Sequence, residues 1–310
     1  MTAHPSGTVL LMGHGSRDAD GAREFLALVG AVRAAAPDVP VDAGFLEFAG
    51  PVLGSIQDAV DRCAARGDTP VLAVPVLLFF AGHGKADMPA QVQEARARHP
   101  QLDLRSKPIL GTDTALLEIA EQRIAEAQAG LPPIDPEQVA VLLVGRGTTD
   151  AEANAEMFKI GRLLWERNPF GWVECGFVSL AWPDVPAGID RCVRLGAKRV
   201  VVLPYFINTG VLVKRIADLT RLAQVRYGDT AEVRMAAHFG VHSKLVQLIL
   251  DRAAEAGRDG PAAPIRAARA WRYAEAAGQL HDHTHGEASQ GHHHHHEPHT
   301  VASVTAGDAP

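Results

Sequence analysis

The sequence is poor in the features that mark secreted, membrane-bound or nucleic-acid-binding chains. Its three cysteines, Cys63, Cys175 and Cys192, form no Cys-x-x-Cys pair. That excludes a disulfide framework, offers no cysteine-held metal or iron–sulfur site, and suits a reducing cytoplasm. Basic residues are outnumbered, with 30 Lys and Arg against 36 Asp and Glu and a net charge of −6. No global positive field exists for nucleic acid, so an anionic ligand must be held by local cations. The longest apolar run, residues 71–82, is too short to cross a bilayer and contains Pro75. No basic stretch followed by a long apolar one opens the chain, so no signal peptide is expected. A Gly-x-x-x-x-Gly-Lys loop is missing, which argues against an ATP site. What remains is a 310-residue chain of ordinary globular composition, 47% hydrophobic and 21% charged, long enough for two domains.

The most informative stretch is residues 9–18. An apolar run is cut by Gly13-His14-Gly15, and Asp18 then opens a helical pattern with Phe25, Leu28, Val29 and Val32 on one face. This reads as strand, tight turn and capped helix. Residues 41–45 form a short strand leading into Glu47, and Pro51 begins a helix that Gly67 stops. Residues 71–80 read as one strand buried on both faces, followed by Gly82-His83-Gly84 and a helix from Asp87. A strand over 102–109 and a helix over 113–128 complete the unit, and the segment 130–136, rich in Gly and Pro, marks a boundary.

The pattern then repeats. Gly145-Arg146-Gly147 follows an apolar run as Gly13-His14-Gly15 does, at an offset of 132, and Asp150 mirrors Asp18. Asp61-Arg62-Cys63 recurs as Asp190-Arg191-Cys192, and Pro75 as Pro204, at an offset of 129. The fold class is therefore α/β: two similar domains, each a parallel sheet flanked by helices, related by internal duplication. The expected domains span 1–132 and 137–252. Residues 253–310 form a low-complexity tail, expected to be disordered, with nine of the fifteen histidines between 281 and 299. That tail suits storage or delivery of metal ions rather than catalysis.

Strand carboxyl ends are where open parallel sheets bind ligands. His14, Glu47 and His83 each follow a strand of the first half, so they converge on one crevice. Two imidazoles and a carboxylate form a plausible partial ligand set for a divalent first-row metal. In the second half Arg146 replaces His14, Ser179 replaces Glu47, and no histidine matches His83. The duplicate contributes cations instead, Arg146, Lys214 and Arg215, opposite Arg17 and Lys85, which suits a polycarboxylate. The apolar segments Leu77, Leu78, Phe79, Phe80, Ala81, Gly82 and 205–210 would wall the crevice for a planar macrocycle fringed with acid groups; Leu77 and Leu78 read more readily as strand core. A dinucleotide site is disfavoured because Asp18 and Asp150 stand where a third glycine is needed. A histidine phosphatase would carry Arg before its His-Gly, where Gly13 stands.

Gly13-His14-Gly15-Ser16-Arg17-Asp18, Leu46-Glu47-Phe48-Ala49, the segment 79–89 and the segment 209–216 together resemble the long, two-lobed CbiX type of sirohydrochlorin cobaltochelatase, a class II chelatase. The likeness runs from residue 8 to about 252. It implies two chelatase-like domains and a lyase that inserts Co2+ into sirohydrochlorin for cobalamin synthesis, without ATP. Some long relatives end in a cysteine cluster for an iron–sulfur centre; none is present here, so no such centre is expected. By this resemblance His14 and His83 bind the metal, and His14 and Glu47 move protons. Residues 77–82 contact the ring, helped by Glu47, while Arg146, Lys214 and Arg215 hold its acid groups. Iron or nickel could use the same ligands, and a non-catalytic cobalt or nickel carrier is the remaining alternative. The expected partners are the tetrapyrrole and a divalent metal, with no nucleic acid and no membrane, in a cytoplasmic monomer.

Overall fold

The computed structural model describes residues 5–47, 52–79 and 84–255, with the backbone alone at 84–87. Strand β1 (Thr8–Gly13) leads to helix α1 (Ala19–Ala35), then β2 (Val41–Phe45), α2 (Ile56–Arg66), β3 (Val71–Pro75), α3 (Gly84–Arg98), β4 (Leu104–Ser106) and α4 (Thr114–Gln128). A 3-10 turn, Pro136–Gln138, opens the second series. It comprises β5 (Val139–Gly145), α5 (Ala151–Glu166), β6 (Trp172–Phe177), α6 (Val185–Arg194), β7 (Arg199–Pro204), α7 (Val211–Tyr227), β8 (Glu232–Met235) and α8 (Ser243–Ala254). No described helix is long and apolar enough to cross a membrane.

Both sheets are parallel, in the orders β2-β1-β3-β4 and β6-β5-β7-β8. Even the register is repeated. Gly13 pairs with Phe45 as Gly145 pairs with Phe177, and Met12 with Pro75 as Val144 with Pro204. The fold class inferred from the duplication is the one observed.

Side chains alternate across each strand and so divide the core into three layers. Val9 and Leu11, with Val141 and Leu143, face one continuous central layer between the sheets, filled by α1, α4, α5 and α8. Leu10 and Met12 turn outward against Ile56, Val60 and Cys63 of α2 and Met88 and Val92 of α3. Leu142 and Val144 do the same against Val185 and Ile189 of α6 and Ile216 of α7.

The last helix of each half packs on the other half: α4 against β7, β8 and α5, and α8 against β3 and α1. Equivalent arginines mark this exchange. Arg123 of α4 donates to the Phe239 carbonyl at 2.6 Å, and Arg252 of α8 donates to the Leu110 carbonyl at 3.3 Å and to Asp113 at 2.9 Å. The lobes are thus tied together by an exchange of their last helices.

Four elements differ in their bounds from expectation. Helix α2 starts at Ile56, not Pro51, because Ser55 and Asp58 form a reciprocal capping box that fixes the start there. Strand β3 ends at Pro75 rather than Phe80, and β4 is confined to Leu104–Ser106. Proline cannot donate to a ladder, so the apolar residues beyond Pro75 become loop. Helix α3 begins at Gly84, three residues before Asp87. The histidine-rich tail lies outside the described residues.

Candidate active site

The turn between β1 and α1 is built by two glycines with different jobs. A Cβ on Gly13 would meet the Phe25 ring at 2.8 Å, so this position lets α1 close onto the sheet. Gly15 has φ +95°, and a Cβ there would sit 1.8 Å from the Glu47 carbonyl oxygen. Only glycine accepts both that conformation and that approach. Glycine at 15 is therefore what draws the loop after β2 onto the turn. The result is a backbone ladder beyond the strands: Leu46 donates to the Gly13 carbonyl at 2.8 Å and Glu47 to the His14 carbonyl at 2.9 Å. His14 and Glu47 are neighbours at the sheet edge, both exposed. Asp18 then caps α1 by accepting from the Asp20 amide at 2.9 Å.

His83 falls outside the described residues, as do Phe80, Ala81 and Gly82, so their meeting with His14 is not part of the observed geometry. Among the described residues no group of three His, Cys, Asp or Glu could hold a metal ion. The cysteines are no substitute. Burial pushes the Cys63, Cys175 and Cys192 thiols up to about 12, which keeps them protonated and inert.

The second lobe copies the turn in backbone and changes its side chains. Gly147 has φ +82°, with the Ser179 carbonyl oxygen 2.0 Å from where its Cβ would stand. Val178 donates to the Gly145 carbonyl at 3.0 Å and Ser179 to the Arg146 carbonyl at 2.9 Å. Arg146 is thus the positional twin of His14, and exposed like it.

The apolar wall after β3 is half-buried. Leu77 leans on the outer layer and Leu78 and Phe79 on the central one, so they serve partly as core. Phe79 reaches Tyr205 of the second lobe with ring centroids 5.9 Å apart, and Tyr205 meets Phe239 edge-on at 4.8 Å. On the facing loop, the Tyr205 hydroxyl and Asn208 Oδ1 are buried with no hydrogen-bond partner among the described residues.

Arg215 is exposed in the first turn of α7. Lys214 is exposed too, but its ammonium lies 2.7 Å from both Asp18 and Asp20 of α1. Hydrogen bonds to those carboxylates raise the Lys214 pKa, and the same contact lowers that of Asp18. Lys214 thus bridges the lobes, a use that its place in the sequence did not announce. Sequence reasoning also missed Glu24, which accepts from the Thr209 amide and meets His238 Nε2 at 2.9 Å across the same junction. One signal was available: Glu24 recurs as Glu156 at the offset of 132, and Glu156 also reaches across, accepting from the Thr112 hydroxyl at 3.3 Å.

The fold and edge geometry define a two-lobed parallel α/β protein with one duplicated unit in each lobe. Comparison with known proteins narrows this. The CbiX family profile matches twice, over residues 8–127 and 140–256. A sirohydrochlorin cobaltochelatase of Priestia megaterium is 37% identical over 261 residues, covering 84% of this chain and 83% of that one. A sirohydrochlorin ferrochelatase of the same organism is 31% identical, covering 78% and 87%. Among solved structures, SirB from Bacillus subtilis with Fe3+ superposes with a TM-score of 0.67 at 25% identity, covering 79% of this chain and 93% of SirB. The chain belongs to the CbiX family.

Proposed function

We propose that this protein inserts Co2+ into sirohydrochlorin, in the branch of tetrapyrrole metabolism leading to cobalamin and without ATP. As a CbiX family member with such relatives it is a class II sirohydrochlorin chelatase, handling cobalt or iron. The choice of cobalt is carried by the greater identity to the cobaltochelatase, 37% against 31%.

Metal insertion demands that the ion shed water and that two pyrrole protons leave. The exposed His14 imidazole at the strand edge suits both tasks, since a neutral imidazole can ligate a divalent metal and accept a proton. In this reading His83 is the second ligand, and Glu47, held beside His14 by the backbone bond, takes up protons or orients the ring. The residues 77–82 lie against the macrocycle. Arg146 and Arg215 hold its acid groups. Lys214 joins them only by leaving Asp18 and Asp20, so its first duty is to the lobe junction. The histidine-rich tail serves as a metal store.

The test mixes protein with sirohydrochlorin and Co2+, Fe2+ or Ni2+ in turn and follows the absorption spectrum. Fastest multiple turnover with Co2+ supports the reading. Preference for iron or nickel reassigns the metal, and a single stoichiometric transfer with every ion makes the protein a carrier.

A further inference from the structure

The first two turns of α1 are docked onto the segment that precedes and opens α7. Asp18 and Asp20 take Lys214, and Glu24 takes the Thr209 N–H together with His238. The helix approaches so closely that a Cβ on Gly21 would stand 2.7 Å from the Thr209 carbonyl oxygen. These contacts join two functional parts of the molecule. Helix α1 begins five residues after His14, and the loop 205–210 carries the unpartnered Tyr205 hydroxyl and Asn208 Oδ1. Burial raises the Glu24 pKa, but the bonds from His238 and Thr209 and the charges of His238 and Arg123 outweigh it and leave it lowered. The carboxylate is therefore ionised at neutral pH and available to both donors.

We propose that Glu24 is a positioning residue for the tetrapyrrole: it pins the 205–210 loop to α1 and so sets the distance between the metal-binding turn and the opposite wall of the crevice. The assignment rests on the chelatase reading above. It acts through Thr209 and His238, without touching the ring. Gly21 belongs to the same device, because its missing side chain permits the close approach.

The test uses the full chain and three variants. Glu24→Ala removes both acceptor bonds, and Glu24→Gln keeps an amide oxygen for the Thr209 N–H. Gly21→Ala forces the segments apart from a different atom while favouring the helix, so its effect is not that of a fold lost. Three readouts are taken: exchange of the Thr209 amide, sirohydrochlorin binding by fluorescence quenching, and steady-state metallation. In Glu24→Ala the Thr209 amide exchanges at least about tenfold faster, because its bond is gone. Ring affinity and KM weaken about tenfold in Glu24→Ala and Gly21→Ala, with kcat within about threefold of the parent. Glu24→Gln stays near the parent in both. Unchanged Thr209 exchange or unchanged ring affinity in Glu24→Ala overturns the proposal, as does an equal loss in Glu24→Gln. A parent protein that binds the ring tightly but metallates nothing overturns the chelatase reading alone. One that does not bind the ring overturns both.

Discussion

The two strand-to-helix turns, Gly13-His14-Gly15 and Gly145-Arg146-Gly147, share their backbone and differ in their chemistry. Both second glycines have positive φ, and both lie under the carbonyl of a residue from the adjacent loop, Glu47 or Ser179. Both middle residues accept a backbone bond of 2.9 Å from that same residue. Yet one carries an imidazole beside a carboxylate, the other a guanidinium beside a hydroxyl. Duplication preserved the parts that fix where a side chain stands and left its identity free to change. In the proposed reading, one turn faces the cation and the other the acid-fringed ring.

The comparison can be broken most forcefully at the middle residues. His14→Ala should lower metallation at least ~100-fold, the scale of a lost ligand and proton acceptor, with secondary structure unchanged by circular dichroism. Arg146→Ala should instead raise the sirohydrochlorin KM about tenfold while sparing kcat, as expected for one charge-assisted bond. Similar kinetics in the two variants would erase the distinction between lobes. Stability sharpens the comparison at the crossed helices. Arg252 is nearly fully buried with Asp113 and Glu255, whereas Arg123 is partly exposed. Arg252→Ala should cost about 3 kcal/mol in urea unfolding and Arg123→Ala about 1.5 kcal/mol. Comparable in size is Gly15→Ala against Gly147→Ala. Each should cost ~1–3 kcal/mol, and only the former should also displace Glu47 and slow chelation.

Acid should act on both lobes. Burial raises the Asp42 pKa, but Arg62 and Arg66 more than reverse this, and Arg234 and Arg199 do the same for Glu232. Glu24 is lowered likewise at the junction. Carboxylates depressed in the folded state add stability that is complete above their ordinary values, near pH 4. That stability is lost as pH falls through the lower folded values. The melting temperature should fall as pH drops below about 4. A melting temperature that rises on acidification would contradict the pairing.

Much of the scaffold was legible in the sequence because it rests on local signals. Asp18, Asp113 and Asp150 cap their helices where the pattern places them, and the apolar face of α1 is the one the periodicity marks. The paired offsets of 132 and 129 carry through to strand register. The ends of β3 and the start of α2 were misread because Pro75 and Ser55 act on single hydrogen bonds, which an apolar run does not reveal. The site was legible in part. His14, Glu47 and Arg146 stand at strand edges that the turn glycines announce. The bonds from Lys214 to Asp18 and from the Thr209 amide to Glu24 span more than 180 residues of sequence, and no periodicity connects such partners.

The most direct measurement titrates His14→Ala and Arg146→Ala separately with Co2+ and with sirohydrochlorin by calorimetry, with the tail present in both so that its contribution cancels. The account predicts one fewer Co2+ equivalent in His14→Ala with ring affinity retained, and weakened ring affinity in Arg146→Ala with the full Co2+ count. Loss of the same ligand in both variants, or of neither, would contradict it.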